Sequence, residues 1–234
     1  MSSIADNIGS VTRRIQKATM TAGRASDSVQ LLAVSKTRTA AELREARQAG
    51  QRAFGENYLQ EALDKMAELE DLTDLEWHFI GPIQSNKTRQ IASSFQWVHS
   101  VDRLKIARRL SEQRDESLPP LNICIQVNID REDSKSGCLP DDVAELAGSI
   151  AALPGLTLRG LMAIPDPRAT DGERRSSFRR MEELLEACRS RLTNTSDLDT
   201  LSMGMSGDLE AAIEEGATIV RVGTDIFGER PAKS

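Results

Sequence analysis

Along this chain, short apolar runs alternate with longer amphipathic stretches, and the alternation repeats eight times. The runs are Leu31–Lys36, Ala53–Asn57, Trp77–Gly81, Trp97–Val101, Leu121–Asn128, Leu156–Ile164, Thr200–Gly204 and Ile219–Gly223. Short and nearly continuous apolar runs of this kind read as strands buried on both faces, as in parallel sheets. The stretches between them predict helices over Ala40–Ala49, closed by Gly50, and over Tyr58–Leu69. Ser85 is the N-cap expected for a helix through Ile91. Further helices are predicted over Arg103–Arg114, Asp141–Ala152, Asp171–Leu192 and Gly207–Glu215, with Thr224–Phe227 as a last helical turn. Ahead of the first strand, residues 2–22 form an amphipathic helix with Ile4, Ile8, Val11, Ile15 and Met20 along one stripe.

This order predicts an α/β fold, a single (β/α)8 barrel with an extra N-terminal helix. An open doubly wound sheet uses the same alternation, but the first strand–helix turn lacks the glycine-rich dinucleotide fingerprint. No linker or composition shift divides the chain. One domain is expected over 1–234, with the barrel at about 30–228 and a short tail from about Glu229.

Composition narrows the picture further. A net charge of −6 leaves no broad basic field for nucleic acid. No apolar run approaches membrane-spanning length, and the start of the chain has no signal-peptide pattern. Cys124, Cys138 and Cys188 show no CxxC spacing, and His78 and His99 are not spaced as metal ligands. A reduced, cytoplasmic protein without a disulfide framework or a metal site is expected.

Barrels place their chemistry at the C-terminal ends of the strands. Lys36 stands at the first of these ends. If its stem stays in apolar surroundings, burial disfavours the ammonium and prepares the amine for a Schiff base with an aldehyde; otherwise it simply points into water. Gly204-Met205-Ser206-Gly207-Asp208 and Gly223-Thr224 follow strands seven and eight, where barrels commonly bind phosphate, though such residues also make ordinary turns. Arg221 interrupts an apolar strand between Val220 and Val222, so it either pairs with an acid or faces a ligand. Facing a pyridine nitrogen, a guanidinium could only donate to the lone pair. His78, between Trp77 and Phe79, reads as a satisfied interior histidine rather than a catalyst.

Several segments carry a family resemblance: Ala33-Val34-Ser35-Lys36, Phe54-Gly55-Glu56-Asn57-Tyr58, Trp77-His78-Phe79-Ile80-Gly81, Gln84-Ser85-Asn86-Lys87, Gly160-Leu161-Met162-Ala163-Ile164, Ser202-Met203-Gly204-Met205-Ser206 and Arg221-Val222-Gly223. In order and spacing they resemble the YggS/PROSC family of pyridoxal-phosphate homeostasis proteins, whose fold is the alanine racemase N-terminal barrel. The resemblance implies that Lys36 holds pyridoxal 5'-phosphate (PLP) covalently. It also implies that Ser206, Gly207, Gly223 and Thr224 hold the phosphate, that Arg221 meets the ring nitrogen, and that Asn57 and Met203 surround the ring. Ser85 and Asn86 would border the site. Arg38 departs from the family, which often has lysine there.

The function implied by the resemblance is that of a PLP carrier or buffer in vitamin B6 homeostasis, not an enzyme. Its implied partners are PLP itself and, transiently, PLP-dependent apoenzymes, and its implied state is a monomer. An arginine at the ring nitrogen damps carbanion chemistry, and the chain has a single tyrosine, Tyr58, to offer as a second base. The competing readings are a weak PLP-dependent racemase or lyase, and a barrel enzyme using Lys36 on a phosphorylated sugar.

Overall fold

The computed structural model describes residues 2–166, 168–192 and 196–229. Pro167, expected to help end the sixth strand, and the tail after Glu229 lie outside the described residues. Eight parallel strands close into a barrel in chain order: β1 Gln30–Val34, β2 Ala53–Glu56, β3 Glu76–Phe79, β4 Trp97–Val101, β5 Leu121–Gln126, β6 Leu156–Met162, β7 Thr200–Ser202 and β8 Ile219–Val222. Closure is made by β8 on β1, with Leu31 opposite Val220 and Leu32 opposite Arg221.

Outside the barrel run α2 Ala40–Gln48, α3 Leu59–Glu68, α4 Thr88–Ser94, α5 Leu104–Gln113, α6 Val143–Ala151, α7 Asp171–Arg191, α8 Leu209–Glu214 and α9 Thr224–Phe227. The extra helix α1, Ile4–Thr21, packs across α2, α8 and α9. Ser3, Thr39 and Thr170 each start their helix with a reciprocal capping box, accepting from the third residue of the helix while that residue's carboxylate accepts from the cap.

Strand alternation sorts the core into two layers. Ala33, Phe54, Phe79, Val98, Ile123, Leu161 and Val220 face outward and pack against the helices. Leu32, Ala53, Trp97, Cys124, Met162 and Ile219 face inward as a separate apolar cluster inside the barrel. The Cys124 thiol is pushed up to about 12 by burial, so it packs as an inert core residue.

Two local expectations change. Ser85 does not cap α4: Gln84–Lys87 forms a turn, closed by Lys87 N–H donating to the Gln84 carbonyl, and the helix begins at Thr88. Pro140–Asp142 is a 3-10 turn ahead of α6, which begins at Val143 rather than at Asp141.

Candidate functional site

At the C-terminal end of the barrel is a cavity of about 260 Å³. Lys36 and Asn57 enter it from the ends of β1 and β2, Arg221 from β8, and Ser206, Gly207, Gly223 and Thr224 from the last two turns. Val34, Ile80, Met162, Ile164 and Met205 supply the apolar remainder of its wall. A flat ring with a few polar substituents is the kind of ligand such a lining suits.

Lys36 reaches the cavity because Leu32, Val34 and Lys36 alternate inward along one strand edge. Behind it, Ser35 turns outward and is held firmly. Ser35 Oγ donates to Glu56 Oε1 at 2.6 Å, and the Ser35 carbonyl accepts from Lys65 Nζ at 2.8 Å. Lys65 also donates to Glu56 Oε1 and to Glu61 Oε1, at 2.5 and 2.8 Å. Glu61 Oε1 in turn accepts from Thr37 N–H at 2.5 Å. Burial raises the Glu56 carboxyl above the usual carboxylate range, with Lys65 pulling the other way. Thr37 has φ +64°, a left-handed conformation that costs a non-glycine residue about 1 kcal/mol or more. The surrounding bonds fix that strained turn immediately after Lys36. Arg38 serves the same turn from outside, with its guanidinium on the Gly228 and Glu229 carbonyls.

The two glycine turns present backbone donors. Asp208 Oδ1 accepts from Met205 N–H at 2.6 Å, and Asp208 N–H donates back to the Met205 carbonyl at 3.1 Å. This leaves Ser206 and Gly207 at the crest of the turn. Their amides, and that of Thr224, meet no acceptor among the described residues. Gly204 enters the turn at φ +92°, where a side chain would also strike Ala212. Free backbone amides at two neighbouring turns can make an anion site without a lysine or arginine.

Arg221 lines the cavity and is held by backbone and hydroxyl acceptors rather than by an acid. It is 4% exposed and makes no ion pair among the described residues. Nη1 donates to the Ser202 carbonyl and to Ser202 Oγ at 2.5 and 2.8 Å, and Nη2 to the Ala163 carbonyl at 2.9 Å. Burial lowers the guanidinium to about 10, so it is charged at neutral pH. In the same cavity wall, Asn57 Oδ1 is buried and has no hydrogen-bond partner among the described residues. Gly81 is fitted behind it: a Cβ there would lie 2.1 Å from the Asn57 carbonyl oxygen. A buried acceptor left without a donor costs about 1–3 kcal/mol unless a ligand supplies one.

Comparison with known proteins gives the family. The family model described as "Alanine racemase, N-terminal domain" matches residues 7–231. A Pseudomonas aeruginosa protein named pyridoxal phosphate homeostasis protein is 63% identical over 230 residues, covering 98% of this chain and 97% of its own. The chain belongs to the pyridoxal phosphate homeostasis protein family. PipY of Synechococcus elongatus, solved without PLP, superposes with a TM-score of 0.88 at 39% identity, covering 97% of this chain and all of PipY. PipY with PLP bound superposes at 0.80 and 38% identity, with the same coverage. Alanine racemase of Corynebacterium glutamicum, at 18% identity and a TM-score of 0.70, shares the fold; this chain spans 62% of its length.

Of the residues expected from the family pattern, Lys36, Asn57, Ser206, Gly207, Arg221, Gly223 and Thr224 line one cavity. Met203 does not. It is fully buried in the outer layer between barrel and helices, and Met205, two residues further on, takes the place at the wall. Ser85 and Asn86 lie outside the lining as well. Sequence reasoning missed Ser202 and His99, which stand directly behind Arg221. Counting inward positions along β4 and β7 would have found both, since each shares a face with a residue of the interior cluster or the cavity wall.

Proposed function

We propose that this chain binds pyridoxal 5'-phosphate covalently through Lys36 and serves vitamin B6 homeostasis as a carrier or buffer. The observation that carries the reading is the donor set of one cavity. It combines a lysine amine, a charged arginine without an acid partner, two turns of free amides and an orphaned amide oxygen. Each matches one feature of the cofactor: aldehyde, ring nitrogen, phosphate and ring hydroxyl. The family membership and the PLP-bound PipY structure support the same assignment.

The chemistry the cofactor would supply is that of an aldehyde condensing with an amine, with release of water, and of a ring able to withdraw electrons. The chain's residues restrain the second property. Arg221 can only donate to the ring nitrogen, so the lone pair stays occupied and unprotonated. Tyr58 is 55% exposed and lies outside the cavity wall, so it offers no base on the opposite face of a substrate. Lys36 holds, the turns grip, and Val34, Ile80 and Met162 limit the access of stray amines. One chain supplies the whole of this donor set, so a monomer suffices for the role. Cys124, Cys138 and Cys188 are free thiols, in keeping with a cytoplasmic carrier that meets apoenzymes transiently.

The competing reading is a weak racemase or lyase. Incubating the loaded protein with a panel of L-amino acids in deuterated water separates the two. We expect α-proton exchange and D-isomer no faster than with free PLP, and turnover clearly above that level would overturn the carrier reading.

A further inference from the structure

Inside a barrel of this class, branched apolar side chains normally fill the layer beneath the site. Here that layer holds His78, His99 and Ser202, each with no exposed surface. Polar groups buried so deeply are tolerated only when hydrogen-bonded, and these are bonded into one continuous chain. Arg221 Nη1 meets Ser202 Oγ at 2.8 Å, and Ser202 Oγ meets His99 Nδ1 at 2.8 Å. His99 Nε2 meets His78 Nδ1 at 2.9 Å, and His78 Nε2 meets Glu76 Oε1 at 2.7 Å. The row begins at the cavity and ends at the other mouth of the barrel, where the Glu76 side chain is 39% exposed.

With both imidazoles neutral, the form that burial favours, its two ends dictate its direction. A guanidinium can only donate and a carboxylate can only accept. Ser202 Oγ therefore accepts from Arg221 and donates to His99 Nδ1, and His99 Nε2–H donates to His78 Nδ1. His78 Nε2–H then donates to Glu76. Every link points from Arg221 toward Glu76, and both imidazoles are neutral within it. Stacking of His78 on Trp97, with planes 5° apart and centroids at 5.3 Å, fixes the ring that carries the turn in the row.

We infer that this row is a hydrogen-bond wire that orients and polarises Arg221 against the ring nitrogen of bound PLP, making His99, His78 and Glu76 positioning residues for a cofactor they do not touch. The inference rests on the function proposed above. Without the wire, Arg221 would keep the Ser202 and Ala163 carbonyls, but Ser202 Oγ would lose the imidazole that turns its hydroxyl hydrogen away from Nη1, and the row would no longer run on to the Glu76 carboxylate.

The test uses the full chain loaded with PLP, reading the visible absorption band and the PLP dissociation constant, with circular dichroism to check folding. His99→Leu interrupts the wire without touching the cavity. It should move the band and raise the dissociation constant about tenfold, the equivalent of one good hydrogen bond. Glu76→Ala, at the half-exposed end, should do the same about threefold. Gln30→Ala, which only removes an outer donor to Glu76, should change neither readout. A folded His99→Leu protein with the wild-type band and dissociation constant would overturn the inference, even if its melting temperature fell. Should that variant not fold, an unchanged band and constant in Glu76→Ala would overturn it instead. If the wild-type protein takes up no PLP, the function proposed above fails and the wire's role falls with it; a coloured wild type beside unaltered variants sinks the wire alone.

Discussion

His78 and His99 have a second consequence at the level of single residues. Burial holds both imidazoles below their ordinary range, His99 well below it, with His78 and Arg221 adding to the effect on His99 and Glu76 opposing it on His78. An unfolded chain would take up protons on these histidines near pH 6.5, whereas the folded chain resists until lower pH. Stability is therefore fully present above pH 6.5 and is lost as the pH falls from there toward the folded values. The loss is up to about 1.4 kcal/mol per pH unit for each histidine. Glu56 works in the opposite sense, since its raised carboxyl favours the fold at low pH and loses that contribution as the pH rises through the folded value. With two histidines against one carboxyl, the urea midpoint should drop between pH 7 and pH 5.5. It should drop less steeply in His99→Leu. An identical slope in the variant would show that the interior imidazoles do not control this range.

Among the elements, α1 has the least obvious duty, because it adds no strand to the barrel. Its Arg14 supplies one. The guanidinium spans Glu210 on α8 at 2.7 Å and Asp225 on α9 at 2.6 Å, and donates to the Ser206 carbonyl at 2.9 Å. Asn7 adds a bond to the Ile226 carbonyl at 2.8 Å. One helix thus straps together both turns proposed to grip the phosphate. Partly exposed ion pairs contribute only about 0–1 kcal/mol each, so Arg14→Ala should cost the fold little. Release is the more sensitive quantity: loaded Arg14→Ala protein should lose PLP several-fold faster in a stopped-flow or trapping assay, and an unchanged rate would confine α1 to covering apolar surface. This strap could not be read from the sequence, where Arg14 is one charge on a solvated helix face and its partners lie 192 to 211 residues away. Strand positions were legible because burial on both faces forces nearly continuous apolar runs, as in Leu31–Val34. The start of α4 was not, since Ser85 has a cap's chemistry but lies within a separate turn.

Over the whole molecule, the closed barrel followed from the eightfold alternation, and the strand ends then named most of the cavity wall. Lys36, Arg221 and the two glycine turns were visible because each breaks a local rule: a cation ends or interrupts an apolar strand, or glycine replaces bulk. Met203 shows the limit of carrying a pattern over by position. Strand alternation turns it outward into the helix layer, and the neighbouring Met205 faces the cavity instead. The interior wire was hidden for a different reason: alternation places His78, His99 and Ser202 on the inner face, but which of them meet depends on register between strands, and that is fixed only when the barrel closes. One amine nonetheless bears most of the weight. Reduction of the PLP-loaded protein with borohydride, followed by proteolysis and peptide mass analysis, identifies the residue that carries the cofactor. We predict a single pyridoxyl adduct on the peptide containing Lys36; an adduct on another lysine, or none, would contradict covalent capture at the end of the first strand.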